Sequence, residues 1–300
     1  MKNKLVIGSR GSELALKQTE WVITKLKENF PEMEYQIKVI KTKGDRILDV
    51  TLNKIGGKGL FVKEIEQELL QGSIDMAVHS MKDVPTEIPD ELEIGAVSQR
   101  EDPRDVLVSR EGRDLYSLPA GAVVGTSSLR RQVQILRLRP DLNIVPLRGN
   151  ILTRLNKVKT EFDAIVLAAA GLKRAGLEAN ITQYFAPTEF VPAVGQGILG
   201  IEIRKNDNIS QEILKCLHNP QAFTCIQAER AFLTRLNGGC HVPIGAYAWM
   251  EGEKLKMYGM FYQGKMIREY AEGSANHPQE LGIALAEKII QLYTNCHLEV

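Results

Sequence analysis

Cysteine is scarce, with four residues in 300. Cys216, Cys225, Cys240 and Cys296 form no C-x-x-C pair, so a disulfide framework is excluded and free thiols are expected. No His/Cys/Asp cluster has metal-ligand spacing, and no metal is expected. Long hydrophobic runs are also missing. The longest, Ala164 to Leu172 with its glycine included, is nine residues, whereas a spanning helix needs about 20. The chain is therefore not expected to cross a membrane. The opening Met1 to Gly8 is too short in its apolar part for a secretory signal, and Arg10 and Glu13 interrupt it at once, so a cytoplasmic location is expected. Net charge is nearly absent: 38 Lys and Arg against 37 Asp and Glu leave +1, which excludes a globally basic nucleic-acid binder and an acidic solvating chain.

What remains is globular, with 44% apolar and 25% charged residues. At about 150 residues per domain the length suggests two domains and allows one or three. Two stretches follow one plan. Leu5 to Ser9 reads as a strand that passes through Gly8-Ser9-Arg10-Gly11-Ser12 into a helix carrying Leu14, Val22, Leu26 and Phe30, stopped by Pro31. Val123-Val124 likewise leads through Gly125-Thr126-Ser127-Ser128 into a helix with Leu129, Val133 and Leu136, stopped by Pro140. Later buried strands recur in the same order at Asp75 to Val78 and Asp163 to Val166, which predicts two α/β lobes with mainly parallel sheets.

Extended stretches at Ser98 to Pro103 and Pro192 to Gly197 mark two crossings between lobes, hence a hinge, and Gly197 to Arg204 returns as a strand. Helices are expected at Ser210 to His218 and Gln221 to Leu236. Three strands follow (Ala246 to Met250, Lys254 to Tyr262, Lys265 to Glu272), then a helix from Pro278 to Tyr293, forming an α+β domain. The domains are thus 1–98 with 197–215, 99–196, and 216–300.

Charge is concentrated where chemistry is expected. From Thr126 to Lys159 eight basic residues face Asp141 alone, so this stretch is +7 and the remainder −6. Arg137, Arg139, Lys157 and Lys159 read as a solvated face. Arg130 and Arg131 differ, because they occupy the first turn of a helix, where the dipole disfavours cations unless an anion is held there. With the hydroxyls of Thr126, Ser127 and Ser128 they describe a carboxylate or phosphate cradle. Gly8 to Ser12, with Arg10, looks like a second.

Lys54-Ile55-Gly56-Gly57-Lys58-Gly59-Leu60-Phe61 lacks P-loop spacing and is either a surface loop or an anion-gripping lid. His79-Ser80-Met81-Lys82-Asp83-Val84-Pro85 follows a buried strand, which places Lys82 and Asp83 at its carboxyl end, where open α/β sheets bind ligands. Asp83 is either a turn residue before Pro85 or the one negative group in an anion site. His79 reads as a core histidine, and Cys216 and Cys225 as small core residues. Cys240, in Gly238-Gly239-Cys240-His241-Val242-Pro243, is either an accessible thiol or a buried structural cysteine.

Glu229-Arg230, the spacing to Gly238-Gly239-Cys240, and Val242-Pro243 resemble the cofactor-attachment signature of the porphobilinogen deaminase family. The likeness runs along the whole chain, through Gly8 to Ser12, Gly56 to Phe61, His79 to Pro85, Arg100-Glu101-Asp102-Pro103-Arg104-Asp105, Gly125 to Arg131, Arg148-Gly149-Asn150 and Pro192 to Gly197. It implies a three-domain transferase whose first two lobes are similar to periplasmic-binding-protein domains. Such enzymes join four porphobilinogen molecules head to tail with loss of ammonia and hydrolyse off linear hydroxymethylbilane for tetrapyrrole and haem synthesis. The resemblance also implies a dipyrromethane primer attached by thioether, with Cys240 as the anchor.

Each pyrrole carries an acetate and a propionate, so the growing chain is a polyanion that needs cations from both lobes. The implied cofactor ligands are Cys240, Lys82, Asp83, Thr126, Ser127, Ser128, Arg130, Arg131, Arg148 and Gly149. Substrate and intermediates fall to Arg10, Ser12, Lys54, Lys58, Phe61, Arg154 and Arg174, with Phe61 stacking on a pyrrole. Asp83 is the implied catalytic carboxylate. Porphobilinogen and linear polypyrroles are the expected partners, with no nucleic acid and no membrane, and a monomer is expected. The rival reading is a two-lobed carboxylate or anion receptor, which needs no covalent adduct at Cys240.

Overall fold

The structure is a computed structural model that describes residues 3–46, 62–237 and 242–298. The chain divides into two compact units, Met1–Glu101 with Ile198–Phe223 and Asp102–Gly197 with Thr224–Val300. The two crossing points fall within or beside the extended stretches expected from the sequence.

In the first unit β1 (Lys4–Arg10), β2 (Glu34–Ile40), β3 (Met76–Ser80), β4 (Leu92–Val97) and β10 (Leu199–Arg204) form one sheet in the order β2-β1-β3-β10-β4. β1 runs parallel to both β2 and β3, whereas β10 is antiparallel to β3 and β4. The second unit repeats this with β5 (Asp105–Ser109), β6 (Val123–Gly125), β7 (Asn143–Val145), β8 (Ala164–Ala168) and β9 (Gln183–Tyr184), ordered β7-β6-β8-β5-β9. There the reversed strand is β5. Both reversed strands are the ones by which the chain enters from the other unit. The sheets are therefore mixed, parallel except for the crossover strand, in the doubled lobe arrangement expected.

Local sequence explains the layers. Leu5 and Ile7 of β1 pack on Val22 and Leu26 of the Glu13–Asn29 helix, and Ile65 and Leu69 of the Lys63–Leu70 helix close the opposite face with Ile40, Ile74 and Leu92. Ser12 caps the first helix, its Oγ accepting from Ala15 N at 3.3 Å, and Phe30 ends it ahead of Pro31. The Asn208–Leu214 helix stops earlier than expected, so Cys216 lies beyond it and is exposed, not a core residue, whereas Cys225 is buried. Cys240, Lys54, Lys58 and Phe61 fall outside the described residues.

The second unit also holds a smaller α+β domain. β11 (Ile244–Glu251), β12 (Lys254–Gln263) and β13 (Lys265–Ser274) form an antiparallel meander, covered by the Pro278–Leu298 helix. Glu229, fully buried on the Pro220–Arg235 helix, accepts from Gly195 N at 2.7 Å and Ala248 N at 2.8 Å. One carboxylate thus ties the helix that precedes the Cys240 loop to the crossover segment and to β11.

The Leu129–Leu138 helix buries an unexpected face. Leu129, Val133 and Leu136 line a groove with Val242, Pro243 and Phe261, while Arg130, Arg131, Gln134 and Ile135 turn inward. The arginines are 6% and 8% exposed, and the anion that their position in the first turn calls for is Asp105, at the start of β5, which is 0% exposed. Arg130 Nη1 donates to Asp105 Oδ2 at 2.6 Å, and Arg131 donates to Oδ1 through Nε at 2.9 Å and Nη2 at 2.7 Å. Remaining donors reach Val191 O at 2.7 Å and Val166 O at 3.0 Å, and Gln196 Nε2 adds a bond to Asp105 Oδ1 at 3.1 Å. Burial pushes the Asp105 carboxyl up, but the two guanidiniums outweigh it and hold the group well below the usual carboxylate range.

Asp105→Asn leaves two buried guanidiniums facing a neutral amide. Breaking a buried pair of this kind costs about 3–5 kcal/mol, and urea unfolding should show it; a loss under about 1 kcal/mol would mean the pair is not structural. The sign in pH follows from the depressed value: the contribution is fully present above the unfolded carboxyl value, about 3.9, and fades as pH falls through the lower folded one.

Candidate functional site

Parallel neighbours bring their carboxyl ends together, and in each unit the predicted residues gather there. In the second unit β6 runs into Thr126-Ser127-Ser128 and β7 into Arg148-Gly149-Asn150. Ser127 stitches the two loops, donating through Oγ to Leu147 O at 2.8 Å and accepting from Leu147 N at 3.0 Å. Two helices begin at this edge. Ser128 caps the Leu129–Leu138 helix and Asn150 the Ile151–Val158 helix, their side-chain oxygens accepting from Arg131 N at 3.4 Å and Thr153 N at 2.9 Å. The first-turn N–H groups of both helices thus point out of one edge, the arrangement that favours anions.

Gly149 has φ +112, and a Cβ there would lie 2.7 Å from Thr153 Cγ2. Only glycine fits, which keeps the backbone open beside Arg148. Arg154 Nε donates to Gly149 O at 2.8 Å. Arg148 is half-buried and has no hydrogen-bond or ion-pair partner among the described residues.

Thr126, Ser127, Ser128, Arg148, Gly149 and Arg154 are therefore brought together. Arg130 and Arg131 start one of the helices, yet their guanidiniums are turned to Asp105 beneath the cradle. The trio still carries one net positive charge. Arg174 is placed elsewhere in this unit, its Nη2 donating to Gly197 O at the crossover at 2.7 Å. Of the cations expected on a solvated face, Lys157 pairs with Glu161 at 3.2 Å, whereas Arg139 is not solvated: its guanidinium donates to Leu115 O, Tyr116 O and Leu118 O at 2.8, 3.1 and 3.0 Å and pairs with Asp141 at 2.7 Å, tying the helix end to the 115–118 segment.

The first unit offers a smaller pocket, lined by Arg10, Ser12, Gln18, His79, Ser80 and Asp83. Arg10 ends β1, Ser12 caps the helix after it, and Met81–Asp83 forms a 3-10 turn at the end of the adjacent β3. Gln18 and Ser80 exchange hydrogen bonds at 3.1 and 3.3 Å across this pocket. The turn itself is closed by backbone, Val84 N donating to Met81 O at 3.2 Å. Lys82 and Asp83 are exposed, and the Asp83 carboxylate has no hydrogen-bond or ion-pair partner among the described residues. A carboxylate kept only to shape the turn would cap it; this one is left available.

Sequence reasoning missed four buried acids: Glu66, Asp105, Glu202 and Glu229. Asp105 and Glu229 lie inside motifs that the sequence made prominent, but nothing local revealed that their partners were arginines 25 and 26 residues away and backbone amides 34 and 19 residues away.

Comparison with known proteins fits this geometry. A family model described as porphobilinogen deaminase, dipyrromethane cofactor binding domain, matches residues 5–212, and one described as porphobilinogen deaminase, C-terminal domain, matches residues 223–291. A porphobilinogen deaminase of Alkaliphilus metalliredigens is 53% identical over 95% of this chain and 92% of its own length. That of Listeria welshimeri is 51% identical over 97% and 96%, and that of Shouchella clausii 59% identical over 82% and 79%. With both halves of the sequence matched, and its cation-bearing strand ends where a cofactor-binding domain would need them, the chain belongs to the porphobilinogen deaminase family.

Proposed function

We propose that the chain is a hydroxymethylbilane synthase. It condenses four porphobilinogen molecules stepwise onto a dipyrromethane primer held through Cys240, releasing ammonia at each step, and then frees linear hydroxymethylbilane by hydrolysis. The observation that carries this reading is the family match across both 5–212 and 223–291. The anion-receptor alternative is not favoured by it.

The second-unit cradle suits a dipyrromethane, whose side chains are carboxylates. Arg148, without a protein partner among the described residues, and Arg154 supply charge, and the Gly149 backbone leaves room for close approach. Thr126, Ser127 and Ser128 shape the turn and direct its N–H groups, while Arg130 and Arg131 add the net positive charge they keep over Asp105. When bound, the dipyrromethane supplies the pyrrole end from which the product grows. Cys240 holds it, and Lys82 is assigned to its carboxylates. Arg10 and Ser12, with Lys54, Lys58 and Phe61 of the glycine-rich loop and Arg174, serve incoming porphobilinogen and the lengthening polypyrrole.

Asp83 does the work of charge stabilisation. Loss of ammonia from porphobilinogen leaves an electron-poor azafulvenium, and a carboxylate accepting a hydrogen bond from the ring N–H stabilises the developing cation. Its exposure and lack of a partner among the described residues leave both oxygens for this purpose. We further propose a cytoplasmic monomer that acts without nucleic acid, in keeping with the net charge of +1, and a C-terminal domain spanning 216–300.

Asp83→Asn preserves size and removes the charge. It should still take up the primer and still bind porphobilinogen through the arginines, with turnover per loaded enzyme lower by roughly 100- to 1000-fold. Hydroxymethylbilane formation per mole of loaded protein measures this, and a rate near wild type would return Asp83 to a turn residue.

A further inference from the structure

His79 reads from the sequence as a satisfied core histidine, and it is one, but the group that satisfies it is a buried acid. β10 runs antiparallel to β3 with Gly200 opposite His79 and Glu202 opposite Ala77, so His79 and Glu202 are diagonal neighbours on one sheet face. Their Nε2 and Oε2 atoms are 3.0 Å apart, at 6% and 0% exposure. Glu202 Oε1 has no hydrogen-bond partner among the described residues. The Lys63–Leu70 helix covers this face and adds Glu66, also buried. Burial pushes the Glu66 carboxyl up, the charge of Glu202 adds to it, and His79 and Lys63 pull it down.

Withdrawing a carboxylate from water with one oxygen unsatisfied costs stability, and an apolar side chain would fill the space at lower cost. His79 is also among the residues lining the pocket that holds Arg10, Ser12 and Asp83. An acid that orients an imidazole beside a reacting centre is a known way to fix the tautomer and tilt of the ring.

We propose that Glu202 and His79 form a positioning pair for the reaction at Asp83: Glu202 accepts the Nε2–H of His79 and so fixes the tautomer and tilt of the ring of a residue that lines the Asp83 pocket. The inference rests on the reading of Asp83 above and deepens it. A lining residue of fixed orientation aligns a bound pyrrole without gripping it, so its loss is felt in kcat and not in KM.

Two variants separate this from packing. Glu202→Leu fills the space and removes the acceptor; Glu202→Gln keeps a carbonyl that can take the Nε2–H. Glu202→Leu should load its primer, by mass, and lose roughly 10- to 100-fold in kcat with KM within about twofold, while Glu202→Gln recovers most of the rate. Packing alone predicts that leucine is tolerated at least as well as glutamine, and that order would overturn the proposal. A second readout needs no turnover: ring nitrogen-15 spectra of the purified protein, with the His79 signals assigned by their loss in His79→Gln. They should show a protonated Nε2 in wild type at neutral pH, and an unprotonated Nε2 would overturn the proposal even if both Glu202 variants failed to fold. Asp83 is intact in all these proteins, so a failed Asp83 reading would appear only in Asp83→Asn.

Discussion

Two guanidiniums closing on one carboxylate, all withdrawn from water, set the geometry of the second unit. Asp105 stands at the first residue of β5, where the chain has just crossed over, and it holds the first turn of the Leu129–Leu138 helix through Arg130 and Arg131. The same arginines reach Val191 O near the return crossing and Val166 O in β8. One ion cluster therefore fixes the entering strand, the helix whose N-terminus forms half the anion cradle, and the segment leading out. The cradle stays cationic because two positive charges meet a single negative one. The opposite choice, two acids on one arginine, would bring the same elements together and repel the carboxylates this family handles.

The two units solve a related problem with different acids. Each has a reversed crossover strand carrying a buried carboxylate, Asp105 on β5 and Glu202 on β10. Each carboxylate braces a residue beside the carboxyl ends of parallel strands, arginines in one unit and an imidazole in the other. The first unit thereby presents Asp83 with Arg10 and Ser12, and the second presents Arg148 and Arg154 around helix N-termini. The exposed Asp83 carboxylate and the Arg148–Arg154 cradle thus belong to strand ends of different units.

Much of this was legible in the sequence, for physical reasons that can be named. Runs such as Met76-Ala77-Val78 and Ile165-Val166-Leu167 are too apolar to be anything but interior strands, and Ser-capped helices halted before Pro31 and Pro140 announced their own ends. Glycine between small polar residues marked both strand-to-helix turns. What stayed hidden was long-range. The buried face of the Leu129–Leu138 helix looks charged in the sequence, because its charge is cancelled by a residue on a strand laid down earlier. Leu129, Val133 and Leu136 were the visible stripe, but they line a groove beside the C-terminal sheet. His79 gave no sign of its acid, since Glu202 arrives only after the chain has built the whole second lobe and returned. Cys240 itself lies outside the described residues; Glu229, part of the same signature, ties the helix that precedes it to Gly195 and Ala248.

The central claim is covalent: a primer made of two pyrrole units is joined to Cys240, and every anion-binding group serves what grows from it. The most direct measurement is the intact mass of the denatured protein after expression in a cell that makes porphobilinogen, before any ligand is added. A thioether survives unfolding where a bound ligand does not. The wild-type protein should exceed its sequence mass by one dipyrromethane, and Cys240→Ser should weigh its bare sequence. A wild-type mass with no increment, or an increment that persists in Cys240→Ser, would contradict the account.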